Sequence, residues 1–159
     1  MSNAGISVFY GGDHDELDGH LKKFQELKHK NFAEAKPSFR SFKFGLQRHI
    51  LWEEEMLFPI FESKTGMKDG GPTAVMRHEH VLIKEALETL HEKVRQHNPD
   101  SDQEETALIS ILKEHNNKEE SVLYPAIDEL TTEEEKKILF QQMEKVPEER
   151  YASCGCNHS

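Results

Sequence analysis

The hydrophobic and polar positions of the 159-residue chain follow a helical period. Apolar residues recur every three to four positions, and no segment keeps the alternation of a half-buried strand. The pattern predicts four long helices and a shorter fifth helix that starts near Thr132. The expected ranges of the long helices are about 13–31, 38–64, 72–97 and 102–127.

Short polar breaks separate these helices. TGMKDGGP follows the second helix and NPDSD follows the third, and both are rich in turn-forming residues. Because short loops favour neighbours that run in opposite directions, the predicted fold is all-α: an antiparallel up-down four-helix bundle with a short fifth C-terminal helix. We expect the bundle at residues 11–150, between an N-terminal arm (1–10, with ISVFY) and a cysteine-containing tail (151–159).

Composition limits the possible partners. Charged residues make up 31% of the chain, and the mean hydropathy is −0.77. No apolar run approaches the roughly 18 residues of a membrane span, so no membrane partner is expected. The net charge of −10 opposes binding to a nucleic-acid backbone. Both cysteines lie near the C-terminus and the N-terminus has no basic-then-apolar leader, so we expect a cytoplasmic location.

One motif occurs twice. HILWEEEMLFPIFE begins at His49, and HNNKEESVLYPAID begins at His115. Residues four apart on an α-helix differ by about 40° in direction and about 6 Å along the axis, so they share a face. His49 and Glu53 should therefore point the same way, and so should His115 and Glu119.

Two further histidines interrupt apolar stripes. His14 is in line with Leu17 on helix 1, and His80 is in line with Ile83 on helix 3. A single histidine on an apolar face is usually a core residue with one hydrogen bond, and most helical glutamates are solvated. Four inward histidines with two inward carboxylates favour another explanation, because buried carboxylates that face each other need a compensating charge. A divalent metal ion supplies that charge.

The donor types indicate which metals are suitable. Imidazole and carboxylate without thiolate suit iron, manganese or zinc, and two carboxylates could bridge two ions. The strings HDEL at His14, HILWEEEMLFP at His49, MRHEHVLI around His80 and HNNKEESVLYP at His115 resemble the four helix signatures of the hemerythrin-like (HHE cation-binding) family. The resemblance covers about residues 10–128.

The resemblance implies a carboxylate-bridged centre of two iron ions, with zinc or manganese as other possible metals. The residues that it implies as ligands are His14, His49, Glu53, His80, His115 and Glu119. We therefore expect a non-haem di-iron sensor or carrier whose ligand is dioxygen or nitric oxide. The alternative is an enzyme or iron-handling protein in iron–sulfur cluster repair or in nitric-oxide or peroxide reduction, because fold and metal do not fix activity. The oligomeric state stays open.

The chain departs from the oxygen carriers of this family on helix 3. Their third helix has two histidines four residues apart, whereas Met76 stands four residues before His80 here. Asp18, one turn after His14, or water could fill the free coordination position. Tyr10 could reach the site as a hydrogen-bond donor or could pack within the arm.

The other polar residues of the motifs are expected to stay out of the site. Glu54 and Glu120 follow their histidines by five residues, about 140° around the helix, and are reserve ligands at best. His78 is expected to face away from the site, and the histidines expected at the surface are His20, His29, His91 and His97. In the tail, Cys154, Cys156 and His158 could bind a soft metal or form a redox pair, or could have no fixed geometry.

Overall fold

The computed structural model describes residues 5–152, and every regular element among them is helical. The α-helices are α1 (Ile6–Leu27), α2 (Phe32–Trp52), α3 (Phe58–Thr65), α4 (Pro72–Arg95), α5 (Asp102–Lys118), α6 (Tyr124–Leu130), α7 (Glu133–Glu144) and α8 (Glu148–Ala152). The predicted all-α class is confirmed. Within the described part of the chain, no helix combines the length and the apolar character that a bilayer crossing requires.

Each copy of the repeated motif contains one π-helical turn. The turn Glu53–Leu57 joins α2 to α3, and the turn Glu119–Leu123 joins α5 to α6. Both precede a proline, Pro59 or Pro125, which has no N–H to donate and whose ring clashes with the carbonyl four residues earlier. The wider turn accommodates the proline without breaking the helix. The two glutamates predicted as ligands, Glu53 and Glu119, are the first residues of the two π turns.

Helix α1 begins seven residues earlier than predicted. Its first turn is held by Asp128, whose carboxylate accepts hydrogen bonds from the backbone N–H groups of Ile6 (2.7 Å) and Ser7 (3.0 Å). Ile6 and Tyr10 are fully buried. Residues 6–10, predicted as part of an arm, are therefore helical, because a cap from a distant helix and burial of their apolar side chains stabilise the extra turns.

The other boundaries follow local signals to different degrees. α2 starts before Pro37, because the side chain of Asn31 caps it by accepting a hydrogen bond from Glu34 N–H (3.2 Å). α4 agrees with the prediction, and α7 starts after the predicted cap, Thr132, in a complete capping box. The unpredicted helix α8 contains Tyr151, whose hydroxyl accepts a hydrogen bond from the Trp52 indole (2.8 Å).

Two apolar clusters make up the core, and a polar layer separates them. In the first cluster α1 packs along α2, and α4 along α5; its members include Leu17, Leu46 and Leu112. A Cβ on Gly45 would lie only 2.5 Å from a methyl group of Leu17, so glycine permits the close approach of α1 and α2. The second cluster, around Tyr124, includes side chains of α7 and closes the opposite end. The four histidines predicted as ligands lie between these clusters along the helices.

Candidate metal centre

Six side chains converge in the polar layer. They are the residues predicted as ligands: His14, His49, Glu53, His80, His115 and Glu119. Their ligand atoms form two groups, and within each group all atoms lie within 4.8 Å of one another. One group contains His14 and His49, the other contains His80 and His115, and Glu53 and Glu119 belong to both. The structure thus brings all six together, while their binding of metal stays a prediction.

Each glutamate directs one oxygen toward each histidine pair. Glu53 Oε2 lies 3.1 Å from His49 Nε2, and Glu53 Oε1 lies 3.0 Å from His80 Nε2. Glu119 Oε1 lies 3.2 Å from His14 Nε2, and Glu119 Oε2 lies 3.1 Å from His115 Nε2. Every histidine therefore presents Nε2 to the glutamates. Two carboxylates divided in this way could bridge two cations.

The donor set fits cations better than it fits hydrogen bonding alone. Both glutamates have no solvent exposure, and Glu119 Oε2 accepts no hydrogen bond from any residue that the structure describes. A buried carboxylate oxygen that accepts no hydrogen bond is costly, because it has lost the hydrogen bonds of its water and here keeps only the contact with His115 Nε2. Histidine nitrogen and carboxylate oxygen are ordinary ligands of iron, manganese and zinc. A cation beside His80 and His115 would supply the missing interaction to this oxygen.

A second set of four carboxylates orients the histidines. Each histidine donates a hydrogen bond from Nδ1 to a carboxylate on a different helical segment. The pairs are His14 with Glu120 (2.6 Å), His49 with Asp13 (2.8 Å), His80 with Glu54 (2.7 Å) and His115 with Glu79 (2.8 Å). A carboxylate on Nδ1 fixes the tautomer in which Nε2 is free to bind metal. These contacts form a closed ring around the four helices that carry the histidines.

Comparison with known families agrees with this geometry. The sequence profile described as "Hemerythrin HHE cation binding domain" matches residues 9–127. The chain belongs to this family. The match covers all six residues predicted as ligands and both π turns, so the resemblance seen in the sequence is confirmed.

Two curated relatives have the same name. An "Iron-sulfur cluster repair protein YtfE" from Dickeya chrysanthemi is 49% identical over 35 residues, which is 22% of this chain and 16% of that protein. Another from Musicola paradisiaca is 30% identical over 89 residues, which is 50% of this chain and 40% of that protein. The alignments thus span less than half the length of these relatives. No solved structure matches the chain.

The glutamates perturb the histidines of the hemerythrin domain when no metal is bound. Burial disfavours a charged His49, but the charge of Glu53 and hydrogen bonds to Asp13 and Glu53 outweigh it and raise the pKa of His49 to about 10. Burial also opposes protonation of His80, but its hydrogen bonds to Glu53 and Glu54 raise its pKa to about 9. Protons on these imidazoles balance the carboxylates, so an incoming metal ion has to displace them.

Tyr124 is a site residue that the sequence analysis missed. It lies five positions after Glu119, but the π turn returns it to the face of Glu119, and its hydroxyl donates to Glu119 Oε1 (2.8 Å). Burial and the charges of both glutamates raise the pKa of Tyr124 well above its usual range. Tyr10, expected as a possible donor to the site, instead donates to Met143 Sδ (3.4 Å), and its ring packs against Tyr124.

A small cavity adjoins the histidine side of the site. Its volume is about 10 Å³, and its lining includes the four histidines predicted as ligands, Asp18 and Asn116. A groove of about 420 Å³ between α1 and α5 shares His14, Asp18, Leu112 and Asn116 with the cavity. Asp18, considered a possible ligand, is in neither ligand group; it lies where cavity and groove meet, and burial raises its pKa.

The remaining polar predictions have mixed outcomes. Glu54 and Glu120 are not in the two groups of ligand atoms, as expected. They nevertheless contact the site, because they accept hydrogen bonds from His80 and His14. The histidines that are exposed as expected are His29, His78 and His97; His20 is half-buried. The prediction for His91 was wrong: it is buried and accepts a hydrogen bond from the Lys43 ammonium. Cys154, Cys156 and His158 lie outside the described residues.

Proposed function

We propose that the hemerythrin domain holds two iron ions, bridged by Glu53 and Glu119, and binds dioxygen or nitric oxide as a sensor or carrier. The observation that carries this proposal is the division of each glutamate between two histidine pairs. One metal ion would use only one oxygen of each carboxylate and would leave the other histidine pair without a cation. In this proposal the four long helical segments form an up-down bundle around the centre.

Iron bound at this site would be redox-active and would offer exchangeable coordination positions to small ligands. The protein contributes orientation and exclusion of water. The carboxylates on Nδ1 hold each histidine with Nε2 toward the centre, and apolar side chains such as Phe42 and Ile83 line the adjoining cavity. A volume of about 10 Å³ is close to the minimum for one water molecule, so only a ligand of a few atoms fits.

Elemental analysis of protein produced in iron-replete cells tests the proposal. We expect two iron ions per chain in the wild type, and at most one in Glu53→Ala or Glu119→Ala. Glu55→Ala is the matched control, because Glu55 is in the same π turn as Glu53 but pairs with Arg150 at the surface. One metal ion or none in a folded wild type, or equal losses in the control, would refute a dinuclear centre.

A role in iron–sulfur cluster repair is the second candidate, and the names of the two relatives favour it. A repair protein that donates iron must release it to an acceptor, whereas a carrier or sensor retains it. Incubating the iron-loaded protein with a protein that has lost iron from its cluster separates the two. Iron transfer that restores the cluster favours repair; reversible spectral changes with dioxygen or nitric oxide, without loss of iron, favour a sensor or carrier.

A further inference from the structure

The hydroxyl of Tyr124 lies among four ligand atoms of one histidine pair. Its oxygen is 2.8 Å from Glu119 Oε1, 3.1 Å from His49 Nε2 and 3.3 Å from His14 Nε2. It also makes a shorter contact to Glu53 Oε2. Tyr124 is fully buried, so no bulk water competes for these contacts.

Hydrogen bonding cannot account for all four contacts at once. A phenol has one proton to donate, and an ionised carboxylate has none. Tyr124 can therefore satisfy only one of the two glutamates, although its oxygen is close to both. Three oxygens and two imidazole nitrogens crowd together, which is expected around a cation.

The spacing also matches one coordination shell. Ligand atoms about 2.1 Å from an octahedral ion lie about 3.0 Å from each of their four neighbours at right angles. The phenolic oxygen has four neighbours, of which those from Glu119, His49 and His14 lie at 2.8–3.3 Å, close to that value, and the one from Glu53 is nearer. It thus stands where a fifth ligand would stand.

We propose that the phenolate oxygen of Tyr124 is a ligand of the metal ion held by His14 and His49. The inference rests on the proposed metal binding. As the oxygen–metal bond forms, the phenol proton leaves to solvent and no group is oxidised or reduced; metal ions commonly displace protons from their ligands.

Among residues 5–152, the second histidine pair has no equivalent of Tyr124. Phe58 stands at the same place in the first copy of the motif, and its ring lies 5.8 Å from that of His80, much as Tyr124 lies 5.7 Å from His14. Phenylalanine cannot bind metal, so the ion held by His80 and His115 retains one more exchangeable position. A small external ligand should therefore bind to that ion.

Visible absorption and resonance Raman spectra of the ferric protein test the inference, because iron(III)-bound phenolate gives a charge-transfer band and enhanced ring vibrations. We expect both signals in the wild type. We also expect them in Tyr10→Phe, because the hydroxyl that this variant loses is directed to Met143. Tyr124→Phe should lose them and keep iron at the other histidine pair. The chain has three tyrosines, so the double variant Tyr10→Phe/Tyr151→Phe leaves Tyr124 as its only phenol and should keep both signals.

The outcomes separate this inference from the proposed function. Two ferric ions per chain without a phenolate signal would overturn the Tyr124 assignment and leave the di-iron proposal intact. Signals that survive in Tyr124→Phe, or that vanish in the double variant at full iron loading, also overturn it. A folded chain that takes up no iron overturns both proposals. If Tyr124→Phe fails to fold, the double variant still decides the assignment.

Discussion

Removing one charge from the ring of orienting carboxylates should weaken metal binding at one histidine pair. In the wild type, His49 Nδ1 lies 2.8 Å from the Asp13 carboxylate. In Asp13→Asn the amide oxygen can still accept this hydrogen bond, but the negative charge of the carboxylate is lost. Hydrogen bonds to charged groups contribute about 1.5–3 kcal/mol, against about 1 kcal/mol for neutral ones. Mutating the hydrogen-bond partner of a metal-binding histidine typically reduces metal affinity by about 10- to 100-fold. We expect a loss in that range for one of the two ions.

Proton competition opposes this loss at neutral pH. The pKa of His49 is raised to about 10 without metal, partly by its hydrogen bond to Asp13, so a metal ion must displace a proton. Asp13→Asn lowers that pKa and makes the proton easier to displace. The net loss of affinity should therefore be small near pH 7 and grow as the pH approaches about 10, where His49 is neutral in both proteins.

Zinc competition against a chelator, measured at several pH values, checks this expectation. Asp15→Asn is the matched control, since Asp15 is exposed on the same helix. Glu120→Gln should have a smaller effect than Asp13→Asn, because the Glu120 side chain is 45% exposed and that of Asp13 only 9%, and solvent screens exposed charges. A loss that shrinks with rising pH, or equal losses in Asp13→Asn and Asp15→Asn, would refute the reasoning.

Three further predictions follow from single features. The melting temperature of the metal-free protein should fall as the pH rises from about 7 to about 10, because the raised pKa values of His49 and His80 make the folded state bind more protons than the unfolded state. The zinc-loaded protein, whose imidazoles are neutral, should show no such fall. A melting temperature of the metal-free protein that does not change with pH would contradict this. Asn116→Trp should slow azide binding to the iron-loaded protein without changing its iron content, since Asn116 lines both cavity and groove, whereas exposed Glu114→Trp should have no effect. Asp128→Ala should destabilise the fold by about 1–2 kcal/mol in chemical denaturation by uncapping α1, whereas exposed Glu129→Ala should change it little.

Elements with signals inside their own sequence were the predictable ones. The start of α7 depends on Thr132 and Glu135, which lie three residues apart and satisfy each other's backbone N–H groups. The start of α1 depends on Asp128, which is 122 residues from Ile6, and no local pattern reports such a contact. The two π turns were missed because an i, i+4 rule assumes an unbroken α-helix.

The candidate site divides in the same way. The ligand pairs within one helix, such as His49 with Glu53, follow from helical spacing. The carboxylates that orient the histidines act between helices, so spacing on one helix placed Glu54 and Glu120 outside the site. A weaker signal was present: Asp13 and Glu79 each precede a ligand histidine directly, in the same way as Glu54 and Glu120 directly follow a ligand glutamate. Such a repeated adjacency indicates a shared role but not the partner.

The duplicated motif explains both the symmetry of the centre and its asymmetry. Two equivalent halves would give each proposed cation two histidines, a share of two glutamates and two orienting carboxylates. The halves differ where Tyr124 replaces Phe58, a difference of one hydroxyl at the same place in the repeat. Because the π turns direct these two rings toward opposite histidine pairs, that hydroxyl affects only one of them. In this proposal the ion held by His14 and His49 has one more protein ligand than the ion held by His80 and His115. The first ion would then be retained more firmly, and the second would bind the small ligand.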